Sequence, residues 1–382
     1  MSKPRSIFED VSGQPAAPAA KAPRPGAADA KRRAARRAIA IWLTILAVLV
    51  AAMVLVGGLT RLTDSGLSIT EWKPITGALP PLSQAHWQEE FEKYQQIPEF
   101  QIINKDMTLS EFEFIYWWEW GHRQLGRLVG LIWALGFLWF LARRAIPAGW
   151  TVKLLIPGLL GGLQGAIGWW MVSSGLTGTM VDVASYRLAT HLGLAFAILG
   201  LLGHLVWEVR LSGADLLQAR RRRLPGAMRF ASILAAVAFV QILLGALVAG
   251  IDAGRGYIDW PLMGGEFLPS ESFDYVPLWT NFFENPALVQ FIHRMWGYLL
   301  FVMGVVFWWR MRGVGHMGMR RRADWVMVML FGQVVLGVIT VMHASPLHLA
   351  IVHQAGAIVL WLLILRARFE AGWPAEERIA RG

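Results

Sequence analysis

The sequence predicts an all-α integral membrane protein whose eight transmembrane helices form two four-helix bundles related by a pseudo-two-fold axis. Three observations predict it. Apolar runs of about 20 residues, the length that crosses a bilayer core, recur from end to end of the 382-residue chain. Hydrophobic residues make up 55% of the chain and charged residues 16%, whereas soluble domains carry about 25% charged residues. Finally, motifs of the first half return in the second in the same order. The chain has no Cys, which excludes disulfides, thiolate nucleophiles, thiolate-held haem or iron–sulfur clusters, and cysteine zinc sites. Its chemistry must rest on His, on carboxylates or on a bound cofactor.

Residues 1–37 read as a disordered tail, rich in Ala, Pro and Gly and ending in the basic cluster Lys31, Arg32, Arg33, Arg36 and Arg37. The run from 38 to 59 is too long for the apolar core of a signal peptide and has no clear cleavage site, so it is the first span. Seven further spans are expected at 118–141, 153–172, 188–208, 229–250, 289–309, 324–342 and 350–366. The N-terminal half then covers 38–208, a basic cytoplasmic linker 209–228, the C-terminal half 229–367 and a cytoplasmic tail 368–382. Of the 36 Lys and Arg, 27 fall in the N-terminal tail, the segments after spans 2, 4 and 6, and the C-terminus. The positive-inside rule therefore places both termini in the cytoplasm. Arg220 to Arg223 and Arg320 to Arg322 are topology signals facing membrane lipid, and no nucleic-acid partner is expected. Outside lie two long loops rich in Trp, Pro and Gly, about 61–117 and 251–288. Ordered loops of that length usually cover a site.

The repeat is specific in its details. Span 2 opens with His122-Arg-Gln-Leu-Gly126 and span 6 with His293-Arg-Met-Trp-Gly297, while His191 and His353 open spans 4 and 8. A Gln-x-x-x-Gly element recurs as Gln164 to Gly168, Gln241 to Gly245 and Gln333 to Gly337, with Met53 to Gly57 at the matching place in span 1. Four spans return the chain to its starting side, so the two halves share one orientation and their axis runs along the membrane normal.

Four of the nine His thus sit at one depth, at the outer ends of the even-numbered spans. An ionisable residue within a span is functional by default. Two facing imidazoles per bundle are too few for tetrahedral zinc, but they complete an iron to which a haem already supplies four nitrogens. Arg123, Arg127 and Arg294 lie beside them, placed either to pair with haem propionates or to snorkel to headgroups. The Gly of each Gln-x-x-x-Gly element admits a close neighbour, and its Gln can bond across helices. The halves differ at one position. Glu119 lies one turn before His122, where the second half has Gln290. Glu119 either forms an i, i+4 ion pair with Arg123 or serves as acid, base or counter-charge. The latter makes the N-terminal half reactive and the C-terminal half an electron-transfer site. His86, His204 and His316 are not expected to be ligands. His343 and His348 flank the last outer turn, where a proton relay is conceivable, and Glu113 belongs to loop packing.

The string Glu113-Phe-Ile-Tyr-Trp-Trp-Glu119-Trp-Gly-His122-Arg123, with Gly126-Arg127 after it and Gly57-Gly-Leu-Thr-Arg61-Leu-Thr-Asp64-Ser-Gly66 before it, resembles the signature of the haem A synthase family. The resemblance runs from span 1 to span 8. It implies oxidation of a methyl group of haem O to the formyl group of haem A for terminal oxidases, in a bacterial inner membrane. It also implies that His122 and His191, with Arg123 and Arg127, hold the substrate haem O. His293 and His353, with Arg294, hold a haem b, and Glu119 is catalytic. The lack of Cys places the chain with the Cys-free type of some bacteria and of mitochondria. Implied partners are an unidentified redox protein and the haem O synthase, a protohaem farnesyltransferase. A di-haem b, quinol-linked cytochrome needs the same four His but not Glu119. A transporter is disfavoured because the His lie away from the bilayer midplane.

Overall fold

A computed structural model describes residues 26–376. Twelve α-helices follow one another: α1 Ala27–Leu62, α2 Gln84–Tyr94, α3 Pro98–Ile102, α4 Leu109–Ala142, α5 Thr151–Val172, α6 Ser185–Val209, α7 Gly213–Arg221, α8 Pro225–Gly250, α9 Asn281–Glu284, α10 Pro286–Arg312, α11 Met317–Met342 and α12 Leu347–Gly372. Among the described residues there is no strand. Eight helices, α1, α4, α5, α6, α8, α10, α11 and α12, are long and apolar enough to cross a membrane, which marks a multi-pass membrane protein.

The spans fall where the apolar runs predict them, but several helices overrun the expected edges. α1 begins at Ala27, so the part of the expected tail from 27 to 37 is helical; the rest of that tail lies outside the described residues. Ala, Lys and Arg are strong helix formers, and a helix already nucleated by its apolar stretch extends cheaply through them. α4 starts nine residues before the expected span because Thr108 and Glu111 form a capping box. The Thr108 hydroxyl accepts from the Glu111 N–H, and the Glu111 carboxylate accepts from the Thr108 N–H at 2.8 Å. The expected linker contains α7, capped the same way by Ser212 and Asp215, and ends where Pro225 opens α8. α12 continues past 367 to Gly372, and residues 377–382 are outside the description.

Within the first half, α1 packs on α4 and α6, and α5 on α4 and α6. Within the second, α10 packs on α8 and α11, and α12 on α8 and α11. These are equivalent helix pairs in the two halves. The halves meet through α1 and α6 on one side and α8 and α12 on the other. Their largest buried cluster fills this junction at the end where α1 begins and α12 ends, with Leu43 and Leu46 of α1, Phe196, Leu199 and Leu202 of α6, Leu234 of α8 and Ile364 of α12. Indole N–H groups find main-chain acceptors on neighbouring helices, as buried polar groups in a bilayer must. Trp42 donates to Ile132 O, Trp133 to Leu154 O, Trp296 to Val237 O and Trp361 to Phe196 O, at 2.9 to 3.0 Å. Leu128, Leu131, Leu135 and Leu138 make an exposed apolar stripe along α4, suited to lipid.

At the other end, the chain leaves α1 and α8 through matching turns. Asp64 and Asp252 both adopt left-handed backbone, with φ of 48° and 51°, and a Gly follows two residues later in each. One side chain ties the two turns together. Arg61 donates to Asp64 at 2.8 Å and to Asp252 at 3.1 Å, and lies 3.7 Å from Asp182. It thus joins the loops of both halves. Replacing Arg61 by Ala leaves three carboxylates around an unneutralised point, and we expect a loss of about 1 to 3 kcal/mol. Thermal unfolding of the detergent-solubilised protein measures this; an unchanged midpoint would show that the halves do not depend on the clamp.

Candidate functional site

Each of the four span-opening His rests on a glycine of the preceding membrane helix. His122 of α4 lies over Gly57 of α1, His191 of α6 over Gly168 of α5, His293 of α10 over Gly245 of α8, and His353 of α12 over Gly337 of α11. A Cβ placed on these glycines would stand 2.9, 2.8, 3.1 and 3.2 Å from the respective imidazole Cε1. A side chain at any of these positions would have to displace the ring. The four small residues seen as a sequence pattern are therefore seats for the four His.

The Gln one turn earlier on the seating helix completes the hold. Gln164 donates to His191 O at 2.8 Å, Gln241 to His293 O at 3.1 Å and Gln333 to His353 O at 3.0 Å. The amides of Gln164 and Gln241 also lie 3.2 Å from the Nδ1 of their His. The expected cross-helix role of these Gln is thus visible in three pairs. His122 has Met53 in that place.

The His come together in pairs. His122 lies near His191, and His293 near His353. Each pair sits near the end of the bundle opposite the start of α1 and the end of α12, at matched positions in its half. Among the described residues, no group of three or more His, Asp or Glu is placed to hold a metal ion. Two imidazoles per half do not make a tetrahedral site. They do fit a macrocycle that brings its own equatorial nitrogens, and the glycine seats and the unpartnered, buried Nδ1 of His122 and His353 suit rings held for a ligand.

The loops above the pairs are pinned by the residues that follow each His. Arg123 donates to Ile69 O at 2.8 Å and to Glu71 O at 3.1 Å. Arg294 donates to Tyr257 O at 2.8 Å and to Asp259 O at 2.9 Å. Tyr257 and Asp259 stand as far beyond Gly245 as Ile69 and Glu71 stand beyond Gly57, so the same clamp is built twice. Arg127 donates to Pro74 O, Lys73 O and the Gln124 side chain. These guanidinium groups, expected beside haem propionates or headgroups, spend their donors largely on loop carbonyls, and the Nε of Arg294 is buried without a partner. Arg123 and Arg127 also line a cavity of about 180 Å³ with Lys73, His86, Glu90 and Tyr116.

Glu119 is 3% exposed. One carboxylate oxygen accepts from Arg123 at 2.6 Å, and the other from Ser68 Oγ and Ile69 N, both at 2.7 Å. The i, i+4 ion pair with Arg123 is present, and it fastens the first loop to α4. Gln290, its counterpart, donates to Tyr257 O at 3.1 Å. Glu119 therefore accepts from its loop where Gln290 donates to its own, and only the first half holds a carboxylate there.

The remaining His lie apart from the two pairs. His204 stacks edge-on against Phe369 and Trp373 and lies 3.6 Å from Glu208. His86 is in α2, 3.9 Å from Glu90. His316 caps α11 by accepting from Met319 N. His343 is within hydrogen-bond distance of Ile339 O at the end of α11. The sequence reading overlooked Ser68, the carbonyl clamps and the paired Asp-x-Gly turns. The last had a signal, since Asp64-Ser-Gly66 returns as Asp252-Ala-Gly254.

The chain matches the COX15-CtaA family, described as cytochrome oxidase assembly protein, over residues 40–365. It is 61% identical over 375 residues to the heme A synthase of Dinoroseobacter shibae, covering 98% of this chain and 97% of the relative. It is 58% identical to that of Ruegeria sp. over 377 residues and to that of Paracoccus denitrificans over 375, with 98% of each chain covered.

A second buried carboxylate lies in the loop over the first pair. Glu99 is 5% exposed and one of its oxygens has no partner. Burial, with Asp182, Asp64 and Glu119 nearby, pushes its carboxyl up to about 8. The folded state then holds a proton that the unfolded state releases near pH 4.5. Stability conferred by this group falls as pH rises from about 4.5 to 8, by at most about 1.4 kcal/mol per pH unit. Unfolding midpoints measured from pH 5 to 8 should decline less steeply in Glu99→Gln than in the parent. Parallel curves would show that Glu99 is ionised in the fold.

Proposed function

Because the chain belongs to the COX15-CtaA cytochrome oxidase assembly family, we propose that it is a haem A synthase, a membrane oxidoreductase that converts the methyl group of haem O to the formyl group of haem A. The observation that carries this reading is the repeated seat. Two His pairs, each ring set on a glycine of a neighbouring helix, offer two sites of the kind that a six-coordinate haem needs.

The substrate, haem O, is assigned to His122 and His191, because only that half carries a carboxylate beside its His. A haem b is assigned to His293 and His353, where it supplies one-electron redox chemistry. Around the first pair, the protein's own groups hold the reacting edge and handle charge. His122 and His191 fix the plane of the substrate. Arg123 is anchored between Glu119 and the loop carbonyls, so the loop of Ile69 and Glu71 closes over the site and limits water. Glu119 is a negative charge in a buried place. It stabilises positive charge developing at the substrate methyl carbon, or takes the proton of the water that adds there. Ser68 and Ile69 N hold it in position. Arg127 and Arg294 keep the two loops in register with their His, and are candidate partners for propionates at the loop end.

The protein is assigned to a bacterial inner membrane with both termini cytoplasmic and the His pairs toward the outer side, following the distribution of Lys and Arg. The halves 38–208 and 229–367 are read as two bundles around the two sites. A protohaem farnesyltransferase that makes haem O and an electron acceptor are the partners this chemistry requires.

Haem extraction tests the assignment. Protein purified from cells that make haem O should release haem b together with haem O or haem A, resolved by reverse-phase chromatography. His122→Ala should lose the O and A fraction and keep haem b. Haem b alone in the parent would favour a di-haem electron-transfer subunit, and no haem would sink both readings. Glu119→Gln, which keeps the side chain's shape and one accepting oxygen, should retain haem O yet lower haem A formation by about 10²-fold or more. Undiminished haem A would leave Glu119 as a loop anchor only.

A further inference from the structure

The four seats are alike in their glycines and unlike in what stands one turn earlier. Gln164, Gln241 and Gln333 each reach the His of the neighbouring helix, and the side-chain carbonyl oxygens of all three are buried without a partner. A His that binds iron through one ring nitrogen carries a proton on the other, and that N–H almost always donates to an acceptor that fixes the ring and raises its basicity. The amide ends of a Gln are interchangeable by rotation. Gln164 and Gln241 therefore keep an acceptor in reserve beside the rings of His191 and His293, and Gln333 keeps one on the helix turn of His353.

Met53 stands in the same place for His122. Its methyl group lies 3.6 Å from where a Cβ on Gly126 would be, and the Gln241 amide nitrogen lies 3.2 Å from the matching point on Gly297. Gly126 and Gly297 both follow their His by four residues, so Met53 and Gln241 occupy equivalent space. A thioether is a weak acceptor on a flexible chain. The Nδ1 of His122 is buried and unpartnered, as is that of His353, but His353 has Gln333 on its main chain, whereas no Gln bonds the helix turn of His122. The main chain of α4 is held nearby through Glu119 and Arg123, so the freedom belongs to the ring and not to the helix.

We infer that His122 is the exchangeable ligand of the four, and that Met53 is the positioning residue that makes it so, because the Gln amide that meets each of the other three His is missing there. This rests on the proposed assignment of the His pairs to haem. It adds that the N-terminal site would release one of its two His to admit a small ligand, while the C-terminal site, with a Gln on each His, would keep both and suit electron transfer alone. One substitution in a duplicated scaffold thus separates a reactive site from a relay.

Carbon monoxide, which binds reduced iron only where an axial position is free, tests the inference without reference to turnover. The full-length protein, purified with its haems and reduced, is titrated with the gas and followed by difference spectra. One haem population should bind it in the parent. Met53→Gln should weaken that binding by about 10- to 100-fold, the usual effect of a ligand's outer hydrogen-bond partner. Gln241→Met should add a second binding population. Binding unaffected by Met53→Gln, or no binding in the parent, overturns the inference while leaving the haem assignment intact. Should Met53→Gln fail to retain haem, the absence of a second population in Gln241→Met overturns it independently. Protein without haem defeats the functional reading itself, and this inference with it.

Discussion

The packing of an imidazole edge against a bare glycine main chain is the contact on which the rest of this protein turns. It demands that two antiparallel helices approach closely at one height, and it is made four times. Once the seats are set, the register of α1 with α4, α5 with α6, α8 with α10 and α11 with α12 is no longer free, because sliding either helix by a turn would drive a side chain into the ring. The cross-helix Gln then adds one hydrogen bond to each of three seats in an environment without competing water. Glycine within a helix costs roughly 0.5 to 1 kcal/mol relative to Ala, and the ring contact is what that cost serves.

Above the seats, the same logic extends to the loops. The Arg after each His reaches two carbonyls that lie at identical distances beyond the two seating glycines. A duplicated helix pair therefore carries its duplicated lid with it. Arg61 breaks this symmetry, since the matching position in the second half is Ala249. One cation serves both Asp turns, and by doing so it joins the lids instead of belonging to either.

How much of this was legible in the sequence follows from the range of the forces involved. Hydropathy is a property summed over a segment, so the eight spans emerge from the chain directly. The His and the Gly of each seat are visible as a repeat, and a ring set that close to the main chain crowds any side chain in the glycine's place. Helix edges were less legible, since the capping box at Thr108 and the basic turn after Ala27 extend helices by local bonds that hydropathy does not register. The Arg were visible, but not their partners. A guanidinium binds a propionate or a main-chain carbonyl with the same fork of donors, and which one it meets is decided by a loop 35 to 54 residues away in sequence. Glu119 shows the same limit: its spacing to Arg123 announced the ion pair, whereas Ser68 and Ile69 N come from a loop whose path no periodicity encodes.

The two sites are also joined through the junction of the halves. Gln354, the residue after His353, donates to Val54 O of α1 at 2.8 Å, and its side chain packs against Gly58, next to the seat of His122. Leu192 stands at the matching position after His191. The polar link therefore runs in one direction only, from the helix of the second site to the helix that seats the first. α1 is held by Arg61 at one end and by the buried junction at the other, and Gln354 ties it to α12 next to Gly57. The asymmetries at Met53, Glu119, Arg61 and Gln354 all gather around α1 and the His122 ring. The duplicated frame is nearly exact at the seats themselves and departs from symmetry around the His122 ring.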